Sequence, residues 1–332
     1  MIGFLNGCIF DERRGNWSGA GPRPIRWNAW YPIENSGHRN CSSVSEFFLS
    51  GLLVSGAPIA EAGKKLPLIL FSHGTGGSVM GLTWLAEALV EAGCIVVGAN
   101  HHGNTGEEEY RAEGFICWWE RIRDLSVLLD NVLTSSTFKG RIDEDRISAT
   151  GFSLGGYTVL GLLGAVTHME DFQHWAEGRP WGRGPREFPD VAYRVDWLLK
   201  ESGEFRSSWD RQSLSYRDSR VCGVLALAPA PTVRGFSVSS LTAIQAPATI
   251  AVGQADEEAP ANDCAVWLHS HLPNSSLHLL GDHVGHYTLL AMGTPAAREA
   301  MPHLFTDHAA VDRSSVHKQV IKLAKQSVVA AP

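Results

Sequence analysis

Hydrophobic and polar positions follow two different periods along the chain, and the alternation between them predicts its secondary structure. From about Lys65 onward, short apolar runs typical of buried strands alternate with segments whose apolar residues recur at helical spacing. The predicted strands are 66–71, 94–99, 146–150, 221–228, 248–252 and 276–280. The predicted helices include residues 82–89, 118–132, 154–166 and 316–323. This order predicts an α/β fold with a mostly parallel central sheet and helices on both of its faces.

Two segments depart from this alternation. Residues 2–10 and 25–31 predict an antiparallel opening of the sheet, joined by turns rich in Gly and Pro. Residues 167–220 carry four tryptophans, which is too aromatic and too long for a simple connection. We expect one domain over residues 1–332, with 167–220 inserted as a lid or cap whose aromatic side chains line a pocket. A structural appendage packed on the helices is the equal alternative.

A glycine-rich hexapeptide stands between the strand at 146–150 and the helix that follows it. It reads Gly-Phe-Ser-Leu-Gly-Gly over residues 151–156, which places Ser153 on a sharp strand-to-helix turn. Glycines two positions before and after a serine allow the tight turn of a nucleophile elbow, which exposes the hydroxyl at the edge of the sheet. The short motif alone also fits a glycine-rich turn with an incidental serine, so Ser153 needs partners to act as a nucleophile.

Candidate partners follow Ser153 in the chain order of an elbow-type triad, which is serine, then acid, then histidine. Asp256 comes directly after the strand at 248–252 and is favoured as the acid over Glu257, Glu258 and Asp263, because it lies nearest the strand end. His286, behind Gly285 and after the last strand, is favoured as the base, and His283 is the alternative.

The loop after the first strand of the parallel series supplies a candidate oxyanion hole. We expect the backbone N–H of Thr75, in the run Ser-His-Gly-Thr-Gly-Gly over residues 72–77, to act with that of Leu154. The loop lacks the spacing of a phosphate-binding motif, and His283-x-x-His286 has no further metal ligands at helical spacing. The sequence therefore predicts neither a cofactor nor a metal ion.

Composition narrows the class of partner. The 332 residues are 44% hydrophobic and carry a formal charge of −7, with a pI near 6.0. This balance gives no basic field for nucleic acid, and no apolar run approaches membrane-spanning length. Six scattered cysteines without a Cys-x-x-Cys pair, and a first segment without a basic region, favour reduced thiols in the cytoplasm. We expect a small-molecule partner; nothing in the sequence indicates the oligomeric state.

These motifs together resemble the α/β-hydrolase superfamily, and within it the platelet-activating factor acetylhydrolase branch and bacterial proteins described as predicted dienelactone hydrolases. The residues that carry the resemblance lie at 30–32, 71–74, 102–105, 118–121, 124–126, 151–157, 226–229 and 285–286. The resemblance implies an α/β-hydrolase fold, with Ser153 as nucleophile, Asp256 as acid and His286 as base. It also implies oxyanion donors at Leu154 and Thr75.

Two departures limit what the resemblance implies. Dienelactone hydrolases use a cysteine as nucleophile where this chain has Ser153, and the chain shows no amphipathic membrane helix of the kind a lipid-surface enzyme uses. The sequence therefore predicts a serine hydrolase of carboxylic esters with short to medium acyl groups. An amidase, lactonase or thioesterase with the same triad remains open, as does a homologue that binds a ligand without catalysis.

Overall fold

The computed structural model describes residues 1–34, 41–42, 45–60 and 63–329. Within these residues ten strands form one sheet, in the order β10-β9-β8-β7-β5-β6-β2-β1-β4-β3. The strands are β1 Ile2–Gly15, β2 Pro22–Pro32, β3 Cys41–Ser42, β4 Leu53–Ser55, β5 Leu66–Ser72, β6 Ile95–Asn100, β7 Ile142–Phe152, β8 Val221–Leu227, β9 Ala248–Val252 and β10 Ser275–Leu279.

The centre of the sheet is parallel, as the apolar runs predict. Strands β6, β5, β7, β8, β9 and β10 pair in parallel in that spatial order. Strands β1 and β2 pair antiparallel, and β2 joins the parallel part through antiparallel pairing with β6. The predicted antiparallel opening is thus present, and the short strands β3 and β4 extend it beyond what the sequence pattern indicates.

Helices separate the strands and cover the sheet. They are α1 Thr83–Glu91, α2 Ala112–Ile116, α3 Glu120–Thr134, α4 Leu154–Leu163, α5 Met169–Ala176, α6 Val195–Glu201, α7 Gly203–Trp209, α8 Val238–Thr242, α9 Trp267–His271, α10 Pro295–Ala300, α11 Pro302–Phe305 and α12 Arg313–Ala324. Strand β5 and helix α4 are buried along their whole lengths. The turn that carries Ser153 therefore lies in the core of the molecule and not at its periphery.

Two predicted helices have different limits in the structure. The helix predicted from residue 118 begins at Glu120, because Cys117 adopts φ −86° and ψ 63° and interrupts the helical path after α2. The helix predicted to reach residue 166 ends at Leu163, because Gly164 takes a left-handed φ of 113° and terminates it.

The 167–220 segment holds helices α5, α6 and α7 and packs on the body through aromatic rings. Phe172 lies 4.8 Å from Trp118, centroid to centroid, and Trp209 lies 5.9 Å from Trp119. Trp175 and Trp181 stack on each other at 5.5 Å within the segment. The fourth tryptophan, Trp197, is 58% exposed and does not contribute to this packing.

We expect Gly155→Ala to destabilise the fold severely. A Cβ at Gly155 would lie 2.0 Å from the Ser72 carbonyl oxygen, and backbone cannot rotate away as a flexible side chain can. Overpacking of this kind costs about 3 kcal/mol or more in free energy of unfolding. Urea unfolding followed by circular dichroism measures it.

Gly203→Ala is the matched control, because its Cβ would meet nothing closer than Arg206 Nη2 at 3.8 Å. We expect this variant to unfold within about 0.5 kcal/mol of the wild type. Equal stability of the two variants would contradict the close approach of α4 to β5.

Candidate active site

Ser153 stands between β7 and α4 in a backbone conformation that few non-glycine residues adopt, with φ 55° and ψ −118°. A Cβ at Gly151 would lie 1.9 Å from the Gly155 carbonyl oxygen, which explains the glycine on the strand side. The Ser153 N–H donates to the Leu227 carbonyl oxygen at 2.8 Å, and the Ser153 carbonyl oxygen accepts from Ala230 at 3.1 Å. Strand β8 and the loop after it therefore hold the turn in place.

Asp256 and His286 meet across two loops that follow β9 and β10. His286 Nδ1 lies 2.7 Å from Asp256 Oδ2, and both side chains are buried. The other carboxylate oxygen of Asp256 accepts from the Ala259 N–H at 2.7 Å. The His286 ring also packs at 4.7 Å against Phe152, the residue before Ser153. The imidazole thus has one nitrogen bound to the carboxylate and its Nε2 left for another partner.

The pKa of His286 reflects this pairing. Burial lowers the pKa, but the charge of Asp256 and the hydrogen bond to it raise the pKa by more, and Glu258 and Glu187 add to the increase. The pKa of His286 therefore lies above its ordinary value. A histidine that acts as a base must first lose this proton, so the base form grows as the pH rises through that pKa.

The rival candidates have other partners or lie at the surface. His283 stacks on His308 at 4.2 Å between centroids, and Glu258 pairs with Arg186 at 2.6 Å. Asp263 lies 3.9 Å from Arg179 and Glu257 is exposed. Of these acids and histidines, the structure brings Asp256 and His286 together beside the serine turn.

The loop after β5 places backbone N–H groups near the same turn. Leu154 is the first residue of α4, so its N–H is free of the helix's own hydrogen-bond ladder. Within the described residues, the Thr75 N–H has no hydrogen-bond acceptor, whereas the Gly76 N–H donates to Asn104 Oδ1 at 2.7 Å. Leu154 and Thr75 line one cavity together with Ser153 and His286.

A buried histidine fixes the start of this loop. His73 Nε2 accepts from the His101 N–H at 3.0 Å, so the ring hydrogen must be on Nδ1, which donates to the Gly74 carbonyl oxygen at 2.6 Å. Burial, with Arg121 close by, holds the pKa of His73 well below its ordinary value. A neutral ring with one tautomer therefore braces the loop from inside.

Arg121 ties the loop to the rest of the core. Its guanidinium, fully buried, donates to the His73 carbonyl oxygen, to Asn104 Oδ1 at 3.3 Å and to Ser72 Oγ at 3.3 Å. Behind it, Asp124 pairs with Arg23 at 2.8 Å and with His101 at 3.0 Å. Burial would raise the pKa of Asp124, but Arg23 and Arg14 hold it well below the usual range.

The sequence predicts some residues of this network but not Asn104. Of the predicted site residues, Ser153, Leu154, Thr75 and His286 line one cavity, and Asp256 is hydrogen-bonded to His286 behind it; their catalytic roles stay predictions. The role of Asn104 as acceptor for the loop was missed, although a polar run over residues 100–105 directly after a predicted strand was the available signal.

The cavity above Ser153 has a volume of about 2670 Å³. Its floor includes His73, Thr75, Ser153 and His286, and much of its wall comes from residues 169–196. The described residues contain no group of three or more His, Cys, Asp or Glu side chains that could hold a metal ion. No helix in the described part of the chain is long and apolar enough to cross a membrane.

Comparison with known proteins supports the fold and identifies a curated relative described as an esterase. No family model matches the chain. The chain is 32% identical over 124 residues to "Putative esterase YitV" of Bacillus subtilis (strain 168). The aligned residues make up 34% of this chain and 47% of that protein. The chain thus spans about half the length of this curated relative. The structure of a ferulic acid esterase from Streptomyces cinnamoneus matches all of this chain and 91% of its own, with a TM-score of 0.65 and 17% identity. The chain has the α/β-hydrolase fold.

We expect the imidazole of His286 to titrate above the ordinary histidine value, and Asp256→Asn to lower its pKa. Removing the carboxylate charge destabilises the protonated ring, so the shift in the His286 pKa is downward. NMR titration of ring-labelled histidine measures both values without any assay of activity. An unchanged pKa in the Asp256→Asn protein would contradict the pairing.

Proposed function

We propose that the protein is a serine hydrolase that cleaves carboxylic esters through an acyl-enzyme. The observation that carries this proposal is the buried hydrogen bond of 2.7 Å from Asp256 to His286, which lines the same cavity as Ser153. The esterase description of the Bacillus subtilis relative and the ferulic acid esterase structure support an ester as the substrate.

In the first half of the proposed reaction, His286 Nε2 accepts the hydroxyl proton of Ser153 as Oγ attacks the ester carbonyl carbon. Asp256 holds the imidazole by Nδ1 and stabilises the imidazolium that forms. The N–H groups of Leu154 and Thr75 donate to the oxyanion of the tetrahedral intermediate. As the intermediate collapses, the alcohol leaves with the proton that His286 carries.

In the second half, water attacks the acyl carbon while His286 accepts one of its protons. The new tetrahedral intermediate collapses, the Ser153 oxygen regains a proton from His286, and the carboxylic acid leaves. Both halves use the same donors, because charge develops on the same carbonyl oxygen each time.

We further infer that the 167–220 segment is a lid or cap over this site. Residues of this segment supply much of the cavity wall, and Arg186 contacts both Glu258 and the Tyr287 hydroxyl. Those two partners lie in the loops that carry Asp256 and His286. The segment is therefore well placed to select the substrates that reach Ser153.

We also place the protein nearest the platelet-activating factor acetylhydrolase and predicted dienelactone hydrolase branch of the fold. The motifs that suggest this branch include residues 102–105 and 118–121, and two of their members, Asn104 and Arg121, bind the oxyanion loop. We propose a cytoplasmic location, which the unpaired buried thiols of Cys94, Cys117 and Cys264 support. The side chain of Cys41 lies outside the described residues.

The wild-type protein is expected to hydrolyse p-nitrophenyl butyrate, and Ser153→Ala to lose about 10³-fold or more in kcat/KM. A fluorophosphonate probe should label the wild-type protein at Ser153 and leave the variant unlabelled. Hydrolysis that persists in Ser153→Ala, or labelling at another residue, would show the proposal to be wrong.

Asn104 is proposed as a positioning residue that holds the Gly76 N–H, and with it the turn that carries Thr75. We expect Asn104→Ala to lower kcat roughly 10- to 100-fold, below the 10²- to 10³-fold cost of removing an oxyanion donor itself. KM should change little, because the ester is bound mainly by the cavity wall.

Asn104→Asp serves as the control, because its carboxylate keeps an oxygen acceptor for the Gly76 N–H and for Arg121. The variant loses only the Nδ2 donation to the Gly114 carbonyl oxygen at 3.2 Å. It should restore most of the lost kcat. If both variants are equally slow, or if both keep full activity, Asn104 does not position the oxyanion loop.

A further inference from the structure

Glu187 brings a carboxylate into the active-site cavity. It belongs to the 167–220 segment and lines the same cavity as Ser153 and His286. A Cβ built on Gly76 would lie 3.0 Å from Glu187 Cγ, which places this side chain beside the oxyanion loop. Glu187 is also one of the groups whose charge raises the pKa of His286. The Glu187 side chain thus lies close both to the loop that carries Thr75 and to His286.

Among the residues that the structure describes, no cationic side chain pairs directly with this carboxylate. Within the described residues, no Lys, Arg or His nitrogen lies within 4.0 Å of the Glu187 carboxylate. The neighbouring Arg186 already binds Glu258 at 2.6 Å and lies over the Tyr287 ring at 5.2 Å. Burial raises the pKa of Glu187, and a hydrogen bond to its own backbone, with the charges of Arg186 and His286, offsets this increase only in part. Glu187 therefore lines the cavity without an ion-pair partner among the described residues, and a cation bound beside it would favour its ionised form.

Aromatic rings border the same place. The Tyr110 hydroxyl donates to the Gly76 carbonyl oxygen at 2.7 Å, and the Tyr110 ring packs at 4.9 Å against Phe115. Both rings line the cavity, and a Cβ on Gly76 would meet Tyr110 Oη as well as Glu187 Cγ. Aromatic rings around a carboxylate are the chemistry that attracts alkylammonium groups, through cation–π and charge attraction.

The charge has a consequence for catalysis. A carboxylate beside the oxyanion loop opposes the negative charge that develops on the ester oxygen, and the partly buried site screens this repulsion weakly. A positive group on the substrate removes the penalty and gains the attraction of the rings. A neutral ester has neither advantage.

We propose that Glu187, Tyr110 and Phe115 form a subsite for a cationic group, a quaternary or protonated amine, carried by the ester substrate. This inference rests on the proposed esterase function for its kinetic test. The subsite selects esters that carry an amine over neutral esters of the same shape.

The kinetic test compares cationic esters with neutral isosteres. For a charge on the alcohol side, the pair is butyrylcholine and 3,3-dimethylbutyl butyrate, followed by acid release in a pH-stat. For a charge on the acyl side, the pair is the p-nitrophenyl esters of 4-(trimethylammonio)butanoic acid and 5,5-dimethylhexanoic acid. We expect kcat/KM to favour the cationic member of one pair on the order of tenfold, and the pair that responds identifies the side.

Glu187→Gln should abolish this preference, so that the kcat/KM ratio of the cationic to the neutral ester falls to about one. Glu177→Gln is the matched control, because Glu177 is exposed at the wall of the same cavity. It should keep the preference. No preference in either pair, or a preference that survives Glu187→Gln, would overturn the proposal.

A binding measurement separates the subsite from the esterase function. Calorimetry on Ser153→Ala compares phenyltrimethylammonium with its neutral isostere tert-butylbenzene. We expect the cation to bind about tenfold more tightly, and this advantage to vanish in the Ser153→Ala, Glu187→Gln double variant. Loss of ester hydrolysis with selective cation binding would refute only the proposed function, whereas equal binding of the two probes would refute the subsite.

Discussion

The approach of the first turn of α4 to the end of β5 is the constraint on which the site depends. Only glycine fits at position 155, because a Cβ there would lie 2.0 Å from the Ser72 carbonyl oxygen. Only glycine fits at position 151 as well, where a Cβ would lie 1.9 Å from the Gly155 carbonyl oxygen. This contact sets Ser153 at its positive φ beside the loop that follows Ser72. The N–H groups of Leu154 and Thr75 come from two different elements, so their spacing depends on how closely those elements pack.

A buried polar network, and not apolar packing alone, fixes the loop side of that spacing. The His73 carbonyl oxygen, the Asn104 amide oxygen and the Ser72 hydroxyl converge on Arg121. A fully buried cation is tolerable only where its donors are satisfied and its charge is balanced. Balance is present, since three buried arginines face three buried carboxylates: Arg14, Arg23, Arg121, Asp11, Glu120 and Asp124. The network specifies one tautomer of His73 and one path for residues 73–77.

The sequence predicts the strands well, because a local run of apolar residues determines each of them. The strand at Ala248–Val252 has its predicted bounds, and the others differ by a few residues at their ends, because buried strands appear as apolar runs. Motif and strand end also single out Ser153, Asp256 and His286, whose catalytic roles stay predictions. The contact between Gly76 and Asn104 joins residues 28 apart, and that between Arg14 and Glu120 joins residues 106 apart, so no local period indicates either. The interruption at Cys117 also escapes helical periodicity, because Trp118 continues the apolar spacing through it.

The cavity wall from the 167–220 segment likewise depends on long-range packing that no local pattern indicates. The Arg186–Glu258 pair is exposed, and exposed pairs contribute roughly 0–1 kcal/mol, so it cannot fix the 167–220 segment by itself. Buried ring contacts such as Phe172 on Trp118 and Phe115 on Phe188 bury apolar area and dominate the attachment. Phe188 follows Glu187 directly, so the contact that anchors this part of the wall also positions the carboxylate. The position of the Glu187 carboxylate in the cavity thus depends on the apolar packing of Phe188, the next residue in the chain.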